Sequence, residues 1–205
     1  LKQLGVKIKK KGFKSFLIYG KGLGSLIAKK NLLLNFGNSG TLARLLIGIL
    51  STTPDIEIKI QGDKSLNKRS MKKLIELMSK FGAEFQPKNK FNFPLKMIST
   101  EMPIGIYYRA GVSAQLKSAV ILAGLNSFGT TKIIEKERSR DHSENMIVKN
   151  FNTIKIINNN DGKTINIFGK KNLKPINIKI PGDPSSAAFF TALTLLNNKS
   201  FLKIK

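Results

Sequence analysis

One unit recurs along this chain: an apolar strand, a polar corner rich in glycine and serine, then an apolar helix. The copies are residues 33–38 with 39–50, 106–112 with 113–125, and 176–184 with 185–196, and their serines Ser39, Ser113 and Ser185 are spaced by 74 and 72 residues. The first two copies also agree downstream. Ser65 and Ser139 each lie 26 residues beyond the helix-opening serine, and each precedes an arginine and a methionine-containing helix (Arg69 and Met71; Arg140 and Met146). A period this long exceeds the roughly 20–50 residues of a solenoid repeat and fits a complete βαβαββ unit. Repetition then places several helix N-termini at equivalent positions. Such termini present unpaired backbone N–H groups and a partial positive charge, which suit anions such as phosphate.

Hydrophobic periodicity fills in the rest of the unit. Residues 6–9 and 16–19 read as short strands around a turn at 10–12, preceded by the end of a helix at 1–5 and followed by a glycine-rich loop at 20–24. The first full copy reads as strand 32–36, helix 39–50, strand 55–61, helix 70–81 and strands 83–86 and 95–99. The helix at 70–81 carries Met71, Leu74, Ile75, Leu77 and Met78 on one face, and Gly82 gives it a stop. The second copy runs strand, helix 114–125, strand 131–135, helix 141–151, and strands 153–158 and 164–168. The third ends early. The expected fold class is α/β, a lobe of repeated βαβαββ units with helices inside, sheets outside and the helix N-termini at one end. Leu1 opens the chain mid-helix and Lys205 closes it at the end of a strand, so it reads as part of a longer protein, incomplete at both ends.

Composition narrows the chemistry. With no cysteine and one histidine, His142, the chain offers no disulfide framework, no cysteine nucleophile and no metal-ligand set. No apolar run reaches the ~20 residues of a membrane span. The formal charge of +24 raises a nucleic-acid reading. The basic residues, however, are 31 lysines and 5 arginines scattered over solvent-facing positions without interleaved aromatics, which reads as a solvated surface. Against that background arginine stands out, because its planar fork grips carboxylate and phosphate in two-point fashion. Arg44, Arg69 and Arg140 all sit inside the repeated motifs.

Taken singly, each motif has a plain structural alternative. Gly37-Asn38-Ser39-Gly40-Thr41-Leu42-Ala43-Arg44 is either an anion corner, where glycine lets a ligand approach the backbone, or an ordinary capped helix with a surface arginine. The run 61–71 is a polar loop that reads equally as a solvated charge run. Ser113-Ala114-Gln115, with Lys117 just beyond, opens an apolar helix where a glutamine is unexpected unless something binds it. Ser139-Arg140-Asp141-His142-Ser143-Glu144 is dense in polar groups, with His142 open to a structural role.

Together, in this order and spacing, these motifs and Pro181-Gly182-Asp183-x-Ser185-Ser186-Ala187-Ala188 resemble the 5-enolpyruvylshikimate-3-phosphate synthase family along the whole chain. The resemblance implies an enolpyruvyl transferase fold of the inverse α/β barrel type, with residues 1–178 most of one lobe and 179–205 the start of a second. It implies transfer of the enolpyruvyl group of phosphoenolpyruvate to the 5-hydroxyl of shikimate 3-phosphate, without metal or cofactor. By motif position, Asn38, Gly40, Arg69 and Gln115 would hold phosphoenolpyruvate. Ser113, Ala114, Gln115, Ser139 and Arg140 would hold shikimate 3-phosphate. The family's proton-transfer groups and its N-terminal Ser-Lys-Ser segment fall outside this chain, so no catalytic residue is expected within it and the chain alone should not turn over. The resemblance further implies a cytoplasmic enzyme, monomeric at full length, with neither nucleic acid nor membrane as partner. Gly40, where alanine would crowd the pocket, implies sensitivity to glyphosate. Two points depart from or test the match. Ser70 stands where proline is common, and a serine can still cap a helix there. UDP-N-acetylglucosamine enolpyruvyl transferases are the nearest alternative, but they carry a cysteine where this chain has Lys64.

Overall fold

In each of the first two repeats, alternating strand residues turn one sheet face inward, and the helices that follow cover it. The computed structural model describes residues 1–150 and 152–204; the helix end expected at Phe151 and the strand end at Lys205 lie outside them. The chain separates into two units, Leu1–Lys174 and Pro175–Lys205.

The larger unit opens with a 3-10 turn at Lys2–Leu4, where the end of a helix was expected, and an antiparallel hairpin of β1 (Lys7–Gly12) and β2 (Ser15–Tyr19). The turn expected at 10–12 falls later, at Phe13 and Lys14, and Lys14 adopts a positive φ of 65°.

The first complete copy runs β3 (Leu32–Asn35), α1 (Gly40–Ser51), β4 (Glu57–Gln61), α2 (Lys64–Lys68), α3 (Lys72–Lys80), β5 (Glu84–Gln86) and β6 (Leu95–Ile98). The second runs β7 (Tyr107–Ala110), α4 (Ala114–Asn126), β8 (Thr130–Glu135), α5 (His142–Asn150), β9 (Ile154–Asn159) and β10 (Gly162–Phe168). Their sheets have one topology, β3-β4-β6-β5 and β7-β8-β10-β9. In both, the first two strands pair in parallel across a helical crossover and the remaining pairs are antiparallel. The βαβαββ repeat read from the sequence is therefore the architectural unit.

The sheets lie outside and the helices inside. On β4, Ile58 and Ile60 are buried while Lys59 between them is exposed. Helix α4 is buried almost all round, from Leu116 to Asn126 with only Leu122 partly open, so it is the central element. Helix α1 lies against it at a glycine: a methyl on Gly48 would sit 2.6 Å from the Ala119 carbonyl oxygen. The two helices run in register. The Gln115 amide donates to Thr41 at one end, the Asn126 amide donates to the Thr52 carbonyl at the other, and each pair is 74 residues apart, the repeat period itself. Equivalent positions of the two copies thus meet across a local pseudo-symmetry axis.

The smaller unit contains α6 (Pro184–Leu195). Asp183 caps it through the Ser185 N–H, with proline at the first position. Helix onset at Pro184 thus falls one residue before the expected Ser185. Residues 176–183 form no strand. In the complete copies that strand pairs with the one after the helix, and residues 196–204 supply no such partner.

Candidate functional site

Serine caps bring two helix N-termini to one place. Ser39 accepts from Leu42 N–H at 3.1 Å and Ser113 from Leu116 N–H at 3.4 Å, as their neighbouring sequences predict. Gln115, in the first turn of α4, ties the two ends together. Its Nε2 donates to Thr41 Oγ1 at 2.8 Å, and its Oε1 accepts from Arg44 Nη1 at 2.9 Å. The same Arg44 nitrogen donates to the Gly40 carbonyl at 3.1 Å.

Arg69 reaches this corner by a device that hydrophobic periodicity does not reveal. Asp63 caps the five-residue helix α2 by accepting from Leu66 N–H at 2.7 Å, and the Asp63 N–H donates to the Gly37 carbonyl at 2.8 Å. Where a polar loop was expected, this single turn pins the 61–69 segment to the Gly37 corner. It delivers Arg69 Nη2 within 3.4 Å of Asn38 Oδ1. Arg44 and Arg69 then face each other across Gly40: a methyl there would lie 2.8 Å from Arg44 Nη1 and 3.4 Å from Arg69 Nη1. Gly40 does not have a positive φ, so space rather than backbone strain is what its missing side chain provides. Burial, and then the charge of Arg69, lower the pKa of Arg44 below the ordinary guanidinium value. Guanidinium groups stay protonated regardless, so two like charges are held close together, and a bound anion would relieve their repulsion. Beside them opens a cleft of about 400 Å³ whose walls include Arg44, Ser70, Lys72, Ser113 and Gln115.

Helix α3 begins at Lys72 behind an N-cap at Met71 rather than at Ser70, though the Ser70 hydroxyl still accepts from Lys72 N–H at 3.3 Å. Ser139 is held by a carboxylate of β8. Its N–H and Oγ–H both donate to Glu135 Oε1, at 3.0 and 2.6 Å. Arg140 is exposed and meets no partner among the described residues, and His142 is exposed as well.

The sequence model for EPSP synthase (3-phosphoshikimate 1-carboxyvinyltransferase) matches residues 1–205. The chain belongs to the EPSP synthase family. It is 41% identical over 198 residues to the 3-phosphoshikimate 1-carboxyvinyltransferase of Zymomonas mobilis, covering 96% of this chain and 43% of that one. With its counterpart from Novosphingobium aromaticivorans it is 40% identical over 207 residues, covering 100% and 46%. The solved EPSP synthase from Acinetobacter baumannii superposes with a TM-score of 0.79 at 34% identity, over 94% of this chain and 42% of that one. The chain thus spans less than half the length of these family members.

Of the residues that the family resemblance implies for phosphoenolpyruvate, the fold brings Asn38, Gly40, Arg69 and Gln115 to one corner. Ser113 and Ala114 stand at the adjoining α4 N-terminus. Among the described residues, Ser139 connects to α4 through the buried Glu135 and Lys117, and no contact links Arg140 to the corner. Sequence reasoning placed Arg44 in the motif without assigning it to the site, although its hydrogen bond to Gln115 puts it at the centre. It missed Glu135 altogether. The signal was present: strand alternation on β8 turns Thr131, Ile133 and Glu135 inward, so a carboxylate occupies a core position.

Proposed function

We propose that residues 1–205 form part of an enolpyruvyl transferase joining phosphoenolpyruvate to shikimate 3-phosphate in aromatic amino acid biosynthesis. The observation that carries this reading is the meeting of Arg44 and Arg69 over Gly40, bridged by Gln115, in a chain of the EPSP synthase family. Each substrate bears a phosphate and a carboxylate, and two guanidinium groups beside two helix N-termini offset their mutual repulsion while fixing their orientation.

In the reaction, the 5-hydroxyl oxygen of shikimate 3-phosphate gives up its proton and bonds to C2 of phosphoenolpyruvate while the C2–C3 double bond opens and C3 gains a proton, giving a tetrahedral ketal. The C2–O bond to phosphate then breaks, C3 loses a proton, and the double bond re-forms. Arg69, with Asn38 and Gly40 forming the pocket wall, holds the phosphoenolpyruvate anion, and Arg44 adds charge from behind. Gln115 stands between the substrates. Ser113, Ala114, Ser139 and Arg140 take shikimate 3-phosphate. The groups that move protons belong to the rest of the protein. On this reading residues 1–178 are most of one lobe and 179–205 begin the other. The full-length protein works as a monomer on small molecules in the cytoplasm, without cofactor, nucleic acid or membrane.

Product identity is the test. The full-length protein incubated with both substrates should produce, by phosphorus NMR, inorganic phosphate together with a new phosphate monoester. Consumption of UDP-N-acetylglucosamine in place of shikimate 3-phosphate would assign it to the related enolpyruvyl transferases instead.

A further inference from the structure

Four charged side chains are packed beneath the first turns of α4. Lys117 is fully buried, and its ammonium lies 2.7 Å from Glu135 Oε1 and 2.7 Å from Glu144 Oε1. From β10, Lys163 comes within 3.0 Å of Glu135 Oε2 and 2.9 Å of Glu144 Oε1. Two cations and two anions cancel, which lets the group be buried without a stranded charge. Stability alone does not account for it, because well-packed apolar side chains of similar volume commonly serve as well or better.

Among its side chains, Glu135 links the cluster to a residue of the candidate site. Glu135 Oε1, already held by Lys117, also takes both hydrogen-bond donors of Ser139, the backbone N–H and the hydroxyl. The position of the Ser139 backbone and the rotamer of its side chain are therefore set from inside the core. A serine hydroxyl has one hydrogen and two lone pairs. With the hydrogen given to Glu135, Ser139 faces outward with lone pairs only, the wrong polarity for a phosphate oxygen.

We propose that Glu135 is a positioning residue: it holds Ser139 at the edge of the site and releases the hydroxyl hydrogen to an oxygen of the phosphate ester of shikimate 3-phosphate. The exchange is balanced. One hydrogen bond leaves Glu135 and one forms on the ligand, no proton changes owner, and the carboxylate keeps the Ser139 N–H, Lys117 and Lys163 as partners. This rests on the reading that Ser139 binds shikimate 3-phosphate, and it adds a residue that never touches the ligand.

A double-mutant cycle in the full-length protein tests it. Glu135→Gln should weaken shikimate 3-phosphate binding about tenfold, the scale of one charge-assisted hydrogen bond, and leave phosphoenolpyruvate binding unchanged. In a Ser139→Ala background the same substitution should have no further effect, because the group it acts through is gone. Glu135→Asp, which keeps the charge for Lys117 but is one methylene shorter, serves if the Gln variant does not fold, and should show the same selectivity and the same dependence on Ser139. Equal losses for both ligands, or additive losses with Ser139→Ala, would overturn the proposal. A folded wild-type protein that does not bind shikimate 3-phosphate at all would instead overturn the function on which it rests.

Discussion

At Gly40 the whole corner turns on the absence of one methyl group. Alanine there would place its Cβ 2.8 Å from Arg44 Nη1, the far end of a flexible side chain, so Arg44 would have to swing outward. The helix itself should tolerate the change, since alanine is the better helix former by about 1 kcal/mol. Crowding bears harder on glyphosate than on the shorter phosphoenolpyruvate. The full-length enzyme should therefore be glyphosate-sensitive, and Gly40→Ala should raise the inhibition constant far more than the Michaelis constant for phosphoenolpyruvate. Steady-state inhibition assays check this, and an equal rise in both constants would contradict it. On the proposed function the arginines divide the labour. Arg69→Lys keeps charge but loses the two-point fork, so it should weaken phosphoenolpyruvate binding about ten- to a hundredfold while sparing shikimate 3-phosphate. Arg140→Lys should do the reverse, as titration of each variant with each ligand would show.

Among the elements, the α1–α4 contact and the buried charges each give a stability test. At Gly48, unlike Gly40, an added methyl meets backbone, the Ala119 carbonyl at 2.6 Å, which cannot step aside. Gly48→Ala should cost about 1–3 kcal/mol through overpacking, read from urea unfolding, although alanine has the higher helix propensity. Around Glu135, burial raises the carboxyl pKa, but hydrogen bonds from Lys117, Ser139 and Lys163 more than offset this and hold it at about 2, against an ordinary 4.5. A folded-state pKa below the ordinary one contributes stability that is present above pH 4.5 and lost as pH falls towards 2. Glu135→Gln should flatten the fall in unfolding midpoint across that window, and an unchanged acid slope would contradict the assignment. These two sites also show how far the sequence could be read. Strand and helix order, with caps at Ser39 and Ser113, was legible because caps and periodicity are local signals. Helix α2 is a single turn in a polar run, too short to have a period, and only Asp63 hinted at it. The strand expected at 176–184 had the right residues but no ladder partner. Glu135, Glu144 and Lys163 come together only through tertiary packing, so spacing along the chain does not reveal them.

In the molecule as a whole, residues 1–205 are on the proposed function a binding wall and not a complete catalyst. The wall supplies guanidinium groups, hydroxyls and helix N-termini, groups suited to binding and orienting anions. Among the described residues, and outside the neutral buried cluster, it offers no inward-facing pair of carboxylates suited to passing protons. Phosphate release in the presence of phosphoenolpyruvate and shikimate 3-phosphate is the most direct measure of that division. The 205-residue chain alone should release none, and the same chain joined to the rest of its protein should release phosphate only when both substrates are present. Turnover by the chain alone, or a folded full-length protein that releases no phosphate from the pair, would contradict the account.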